Sequence, residues 1–340
     1  MRQVRLPLEA VLAAYLLAWI PYIALTKGLS SLPQPQTGRP LTGLEMLPAS
    51  LLILWALTYA FLGISGWKAS ATQIRIGNVV LPRPRAWTGL AGLGSALLLV
   101  AVPLSFTIKG VSIPFMQLLM RGDVLLIAPL VDLVTGRRVR WWSWTALVLV
   151  GLGMAATVRY SGAVRLPLIA IIAIALYCLG YLVRLLAMSR LAKTGEAGAL
   201  KGYYFEEQLL ATPLAITGVA LIGLLGRGTQ AEQIRWGFAS VWASPALPLL
   251  ALIAALACLQ SVLGAAILLS PQENTLCVAL ERAGSVLGGV AAAFWLRQFY
   301  AQPAPTPAEL AGSSLLILAI ALLSIAPRVV HALRGPVSRR

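Results

Sequence analysis

Charge is what this chain has least of. Only 11% of its 340 residues are Asp, Glu, Lys or Arg, against about a quarter in an ordinary soluble domain. A water-soluble fold cannot cover its surface with so few, so that class is excluded. Acidic groups are scarcer still, 11 in all, and the single histidine, His331, stands in the C-terminal tail. No Ser/His/Asp arrangement and no metal-ligand spacing occurs, so the chain lacks the usual equipment of a membrane-embedded enzyme. The expectation is that it is not an enzyme and takes no cofactor. No G-x-x-x-x-G-K-[ST] pattern is present, which argues against direct nucleotide-driven pumping. The three cysteines, Cys178, Cys258 and Cys277, all fall in apolar stretches and form no disulfide framework.

What the chain has is apolar length. Hydrophobic residues make up 59% of it and the mean hydropathy is +0.83. Stretches near or above about 18 apolar residues recur throughout, and each reads as a membrane-spanning helix. Ten are expected, over 9–27, 44–64, 87–107, 113–135, 141–159, 165–188, 202–226, 246–268, 273–297 and 308–327. The longest connections, 28–43, 65–86 and 227–245, are too short for a soluble domain. The first apolar segment lacks a convincing small-residue cleavage site and is read as a retained helix. The fold class expected is therefore an all-α polytopic membrane protein.

The net charge of +16 fits topogenic Lys and Arg in cytoplasmic loops. No nucleic-acid motif accompanies it, so no nucleic-acid partner is expected. Placing the N-terminus in the cytoplasm puts roughly twice as many basic residues inside as outside. Both termini inside require an even number of spans, in agreement with ten. The Ala-, Leu- and Arg-rich composition and compact loops point to a bacterial inner membrane, with the lipid bilayer as the one partner implied directly. The oligomeric state is open, a homodimer included.

A weak internal repeat is visible. "PFMQLLMRGDVLL" from Pro114 aligns with "TLCVALERAGSVL" from Thr275 at an offset of 161, which sets Arg121 on Arg282. Residues 1–163 and 164–340 then form two five-helix repeats. Five is odd, so the second copy enters from the other side, the inverted arrangement common in secondary transporters.

The repeat brings charge to the midplane. Arg121 lies about 12 Å into its span and Arg282 about 13–14 Å into its own at 1.5 Å per residue, near the middle of an ~30 Å core. An arginine there costs at least about 2.5–3.5 kcal/mol, so neither is expected to face lipid. Asp123 is two residues from Arg121, on the opposite side of the helix, and Glu281 is adjacent to Arg282. Neither geometry favours pairing within a helix. The expected arrangement is crossed, Arg121 with Glu281 and Arg282 with Asp123. Two readings stand: ion pairs that clamp the halves, or arginines that hold an anionic group, which the planar guanidinium binds bidentately. Gln117, one turn before Arg121, shares its face. Tyr22 beside Pro21, and the i, i+4 pairs Tyr177/Tyr181 and Trp55/Tyr59, are further cavity-lining candidates, with packing or an interfacial belt as the alternative. Glu206 and Glu207 are expected at the start of a helix as capping carboxylates, Arg184 as a snorkelling side chain, and the glycines of "GSVLGG" (284–289) as a close-packing stripe.

Ten spans in two halves, "TGLEMLPASLLI" at 42–53, and "SIPFMQLLMRG" after the short "KGVSIP" turn resemble the drug/metabolite transporter superfamily. They look most like its EamA-type and nucleotide-sugar-transporter-like members. The resemblance covers nearly the whole chain through diffuse motifs. It implies a central cavity and, residue by residue, a role there for Gln117, Arg121 and Arg282. Asp132 matches only loosely the acidic residue that many EamA-type members carry late in helix 4. The function expected is secondary-active transport of a small anionic or zwitterionic metabolite. The alternatives are a flippase for a phosphate-bearing lipid carrier or lipid-linked sugar and, last, an embedded enzyme.

Overall fold

A computed structural model describes residues 8–34, 38–77, 79–108, 111–121, 141–160, 167–191, 198–268, 274–300 and 302–333. In chain order the helices are α1 (Leu8–Ser31), α2 (Gly43–Ile64), α3 (Ala86–Phe106), α4 (113–121), α5 (Trp141–Tyr160), α6 (Leu168–Leu191), α7 (Ala199–Leu225), α8 (Thr229–Ala239), α9 (Leu247–Leu268), α10 (Asn274–Tyr300) and α11 (Pro307–Leu333). Six of them, α1, α2, α3, α6, α7 and α9, are long and apolar enough to cross a membrane. The chain is an all-α protein of the polytopic membrane type.

Two connections hold structure that the sequence reading missed. Residues 65–86 contain a short 3₁₀ turn (Trp67–Ser70) and an antiparallel hairpin, β1 (Gln73–Ile76) and β2 (Val79–Pro82). Residues 227–245 contain α8, whose buried face is Ala231, Ile234 and Gly237. Helix α1 also runs further than expected. Lys27 lies inside it, and its Nζ donates to the Ile108 carbonyl at 3.0 Å.

Helix starts are set by local chemistry. Thr42 and Glu45 form a capping box at α2, each side chain bonded to the other's backbone N–H. Arg39 then grips the Glu45 carboxylate through both terminal nitrogens, at 3.0 and 2.7 Å. Thr306 and Glu309 repeat the device at α11, and the Ser112 hydroxyl donates to Glu309 as well.

The chain divides into two compact units, and these do not coincide with its sequence halves. One comprises Met1–Ile20, Val111–Arg165 and Val262–Arg340, the other Pro21–Gly110 and Leu166–Ser261. Each unit therefore draws helices from both halves. The first has a core of Leu118 from α4, Ala146 and Val150 from α5, Val286 from α10, and Leu316, Ala319 and Ile320 from α11. The second packs Leu47 and Leu51 of α2 against Ala96, Ala215, Val219 and Ile234.

Without water to exclude between helices, close contact between spans depends on small residues. In the second unit α3 and α6 cross where Gly94 meets Gly180, and a Cβ at Gly94 would come within 2.6 Å of the Gly180 carbonyl oxygen. In the first, α5 and α11 cross at Gly153 and Gly312, with a Cβ at Gly153 held 3.1 Å from the Gly312 oxygen. Backbone cannot yield as a flexible side chain can. Gly94→Val should therefore destabilise the detergent-solubilised protein by about 1–3 kcal/mol, read as a lowered thermal midpoint. Gly151→Ala, at a glycine with open space around it, should leave the midpoint in place.

Candidate functional site

The first unit buries a polar cluster inside apolar helices. Arg121 and Arg282 are each 5% exposed, and Gln117, Glu281, Tyr15 and Trp19 are buried with them. Neither arginine faces outward. On α4, Gln117 and Arg121 are one turn apart, and the Arg121 Nε donates to the Gln117 Oε1 at 3.2 Å, as their shared face requires. The guanidinium carbon of Arg121 lies 5.4 Å from the centroid of the Trp19 ring. Such a cation–π contact contributes about 0.5–2 kcal/mol, the larger figure when desolvated.

Helix α1 supplies the aromatic wall. Tyr15 and Trp19 sit edge to face at 5.9 Å, and the Tyr15 hydroxyl donates to the Glu281 Oε1 at 2.6 Å. Arg121, Glu281 and Arg282 all lie near enough to interact electrostatically with that hydroxyl. Glycines on α10 make the approach possible. A Cβ at Gly288 would come within 2.6 Å of the Trp19 Cβ, one at Gly284 within 3.2 Å of Tyr15, and one at Gly289 within 2.9 Å of the Gln117 Cγ. The "GSVLGG" stripe thus seats the wall rather than a ligand.

The adjacent charges Glu281 and Arg282 approach each other within α10, which helical spacing was not expected to favour. Arg282 pairs with its own neighbour, its Nε 3.2 Å from the Glu281 Oε2. Adjacent residues diverge around a helix, but both side chains are long and bend toward each other. In a dry interior the Coulomb attraction outweighs the rotamer freedom given up. Asp123, the partner expected for Arg282, lies outside the described residues, as does Asp132.

Tyr22, Tyr177 and Tyr181 belong to the second unit, apart from this cluster's residues. Tyr22 packs edge to face on Phe106, and Tyr177 and Tyr181 stack with planes 14° apart. All three are buried. Tyr59 donates its hydroxyl to the Leu209 carbonyl at 2.6 Å beside a half-exposed Trp55.

The second unit holds its own buried charges, and both differ from expectation. Because α7 begins at Ala199, Glu206 and Glu207 stand in its third turn and not at its start. Both are fully buried. Glu206 caps another helix: it accepts from the backbone N–H of Thr72 at 2.8 Å and of Arg85 at 3.1 Å, and from the Thr88 hydroxyl at 2.7 Å. That satisfies the start of α3, where Arg85 is the cap residue. Glu207 accepts from the Arg184 Nε at 2.6 Å and from the Ser95 hydroxyl. Arg184 is thus an ion-pair partner, not a snorkelling side chain. A carboxylate this deep recruits the nearest cation. A small cleft in the same unit, between Thr26, Met46, Pro103 and Leu250, is lined by no charged residue.

Comparison with known proteins is spare. No protein-family model and no curated protein matches the chain. A solved crystal structure, described only as that of a protein, is similar at 16% identity over 94% of this chain and 98% of that one, with a TM-score of 0.53. That likeness establishes a shared fold across nearly the whole length.

Two pairs of substitutions probe the buried charges. Arg184→Met strands Glu207 and should cost about 3–5 kcal/mol, while adding Glu207→Gln should recover much of the lost thermal midpoint. In the first unit, a double-mutant cycle of Tyr15→Phe and Glu281→Gln should give a coupling of about 1–3 kcal/mol. Additive effects would mean the two side chains do not bond.

Proposed function

We propose that this chain is a secondary-active transporter for a small anionic or zwitterionic metabolite, working by alternating access, with Arg121 as the anion-binding group. The observation that carries the reading is the setting of Arg121: a buried guanidinium stacked on Trp19, ordered by Gln117, and close to the Tyr15–Glu281 hydrogen bond. Arginine suits the role because its fork matches a carboxylate or phosphate in two parallel hydrogen bonds. Glu281, held by Tyr15 and beside Arg282, is the group that an incoming anion would compete with.

The architecture proposed for this work is ten spans in two inverted five-helix repeats, as in the drug/metabolite transporter superfamily. Supporting it, Leu8 and Leu168, the first residues of α1 and α6, stand 160 residues apart. Ala86 and Leu247, opening α3 and α9, stand 161 apart, and the starts of α4 and α10 are again separated by 161. Gly153 and Gly312, in contact on α5 and α11, occupy near-equivalent positions, as expected where two copies of one helix meet across an axis. The site proposed is an inner bacterial membrane with both termini in the cytoplasm.

Thermal-shift screening with amino acids, dicarboxylates and sugar phosphates, each paired with a neutral or cationic analogue, tests the charge preference. Anions should raise the midpoint of the wild type, Arg121→Lys should respond weakly, and Arg121→Ala not at all. Hits should then accumulate chemically unchanged in proteoliposomes. Stabilisation by the cationic analogues alone would overturn the proposal, and a converted product would indicate an enzyme.

A further inference from the structure

We propose that the hairpin between α2 and α3 is a docking surface for anionic lipid headgroups, embedded in the membrane interface. Two four-residue strands are too little to be stable alone in water. The register sets Ile74 opposite Leu81 on one face and Arg75 opposite Val80 on the other, with Gly77 in the turn at φ 59°. Leu81 is 43% exposed on the first face, and Val80 is 41% exposed beside Arg75 on the second. An apolar ribbon left open to this degree in a membrane protein fits the boundary between headgroups and acyl chains.

The exposed charge on and beside it is basic: Lys68, Arg75 and Arg83 are exposed, while the half-exposed Arg85 guanidinium is paired with the buried Glu206. No acidic residue occurs between Glu45 and Asp123. This basic rim around an apolar face complements a leaflet of anionic phospholipid, where each basic residue is worth about fivefold in occupancy.

The hairpin is also held in a fixed pose. Glu206 binds the backbone at both its ends, Thr72 and Arg85, and the Arg83 N–H closes on the Thr72 carbonyl at 2.7 Å. Beneath it, Gly202 of α7 lets the Ser70 backbone approach closely. Trp67 packs edge to face with Phe61 and Tyr204, and Trp87 lies under the Arg190 guanidinium at 4.2 Å. Tryptophans at this level mark the interface.

The inference rests on the membrane character of the chain and not on the transport reading. Hydrogen exchange of residues 73–83 in the full-length protein tests it, in nanodiscs of phosphatidylcholine and of phosphatidylcholine with phosphatidylglycerol. Phosphatidylglycerol should slow exchange about fivefold or more. The surface double variant Arg75→Glu/Arg83→Glu should abolish that difference, and Leu81→Asp should abolish it too. Equal exchange of the wild type in the two lipids would overturn the proposal. So would protection that survives either variant.

Discussion

An ion taken out of water must be met by a counter-charge, a hydrogen bond or an aromatic face, and this chain is organised around that demand. Its apolar helices can pack in many registers. Its few buried charges can be satisfied in very few. Arg184 with Glu207 fixes α6 against α7, and Glu206 ties α7 to the start of α3. Tyr15 with Glu281 joins residues 266 apart in sequence. Dispersion and small-residue crossings supply contact; the polar bonds select which contact is made.

The two units use the same constraint differently. In the second, Glu45 and Glu206 have both carboxylate oxygens met by donors, and Glu207 is held on one oxygen by Arg184 and Ser95. In the first, the Arg121 guanidinium lies over the Trp19 ring and its Nε donates to Gln117. Glu281, bonded by Tyr15, lies beside Arg282. Proximity of a stacked cation to a bonded carboxylate is what turns a structural cluster into a candidate receiving site.

Much of this was legible in the sequence. Hydropathy alone marked the six long apolar helices, since runs of about 20 apolar residues permit little else. Gln117 and Arg121 follow from helical spacing. Tyr15 and Trp19 carry the same i, i+4 signal that marked Tyr177/Tyr181, yet only contact with α10 reveals which aromatic pair meets a charge. The pairing of Arg184 was hidden because its partner lies on another helix, and snorkelling is the default for an arginine near a span's end. The hairpin left a signal that a hydropathy scan overlooks: β-branched residues flanking "GN". That each unit draws helices from both halves of the sequence has no local signature at all, because it depends on which spans meet within it.

Arginine-selective modification of the reconstituted protein by p-hydroxyphenylglyoxal, mapped by mass spectrometry, tests the central claim most directly. If Arg121 borders a path open to solutes during alternating access, it is modified more slowly than Arg75 and Arg83 but to completion, and an anion that stabilises the protein protects it. Should Arg121 stay unmodified after those two surface residues have reacted fully, it is a sealed structural cation and the account is wrong.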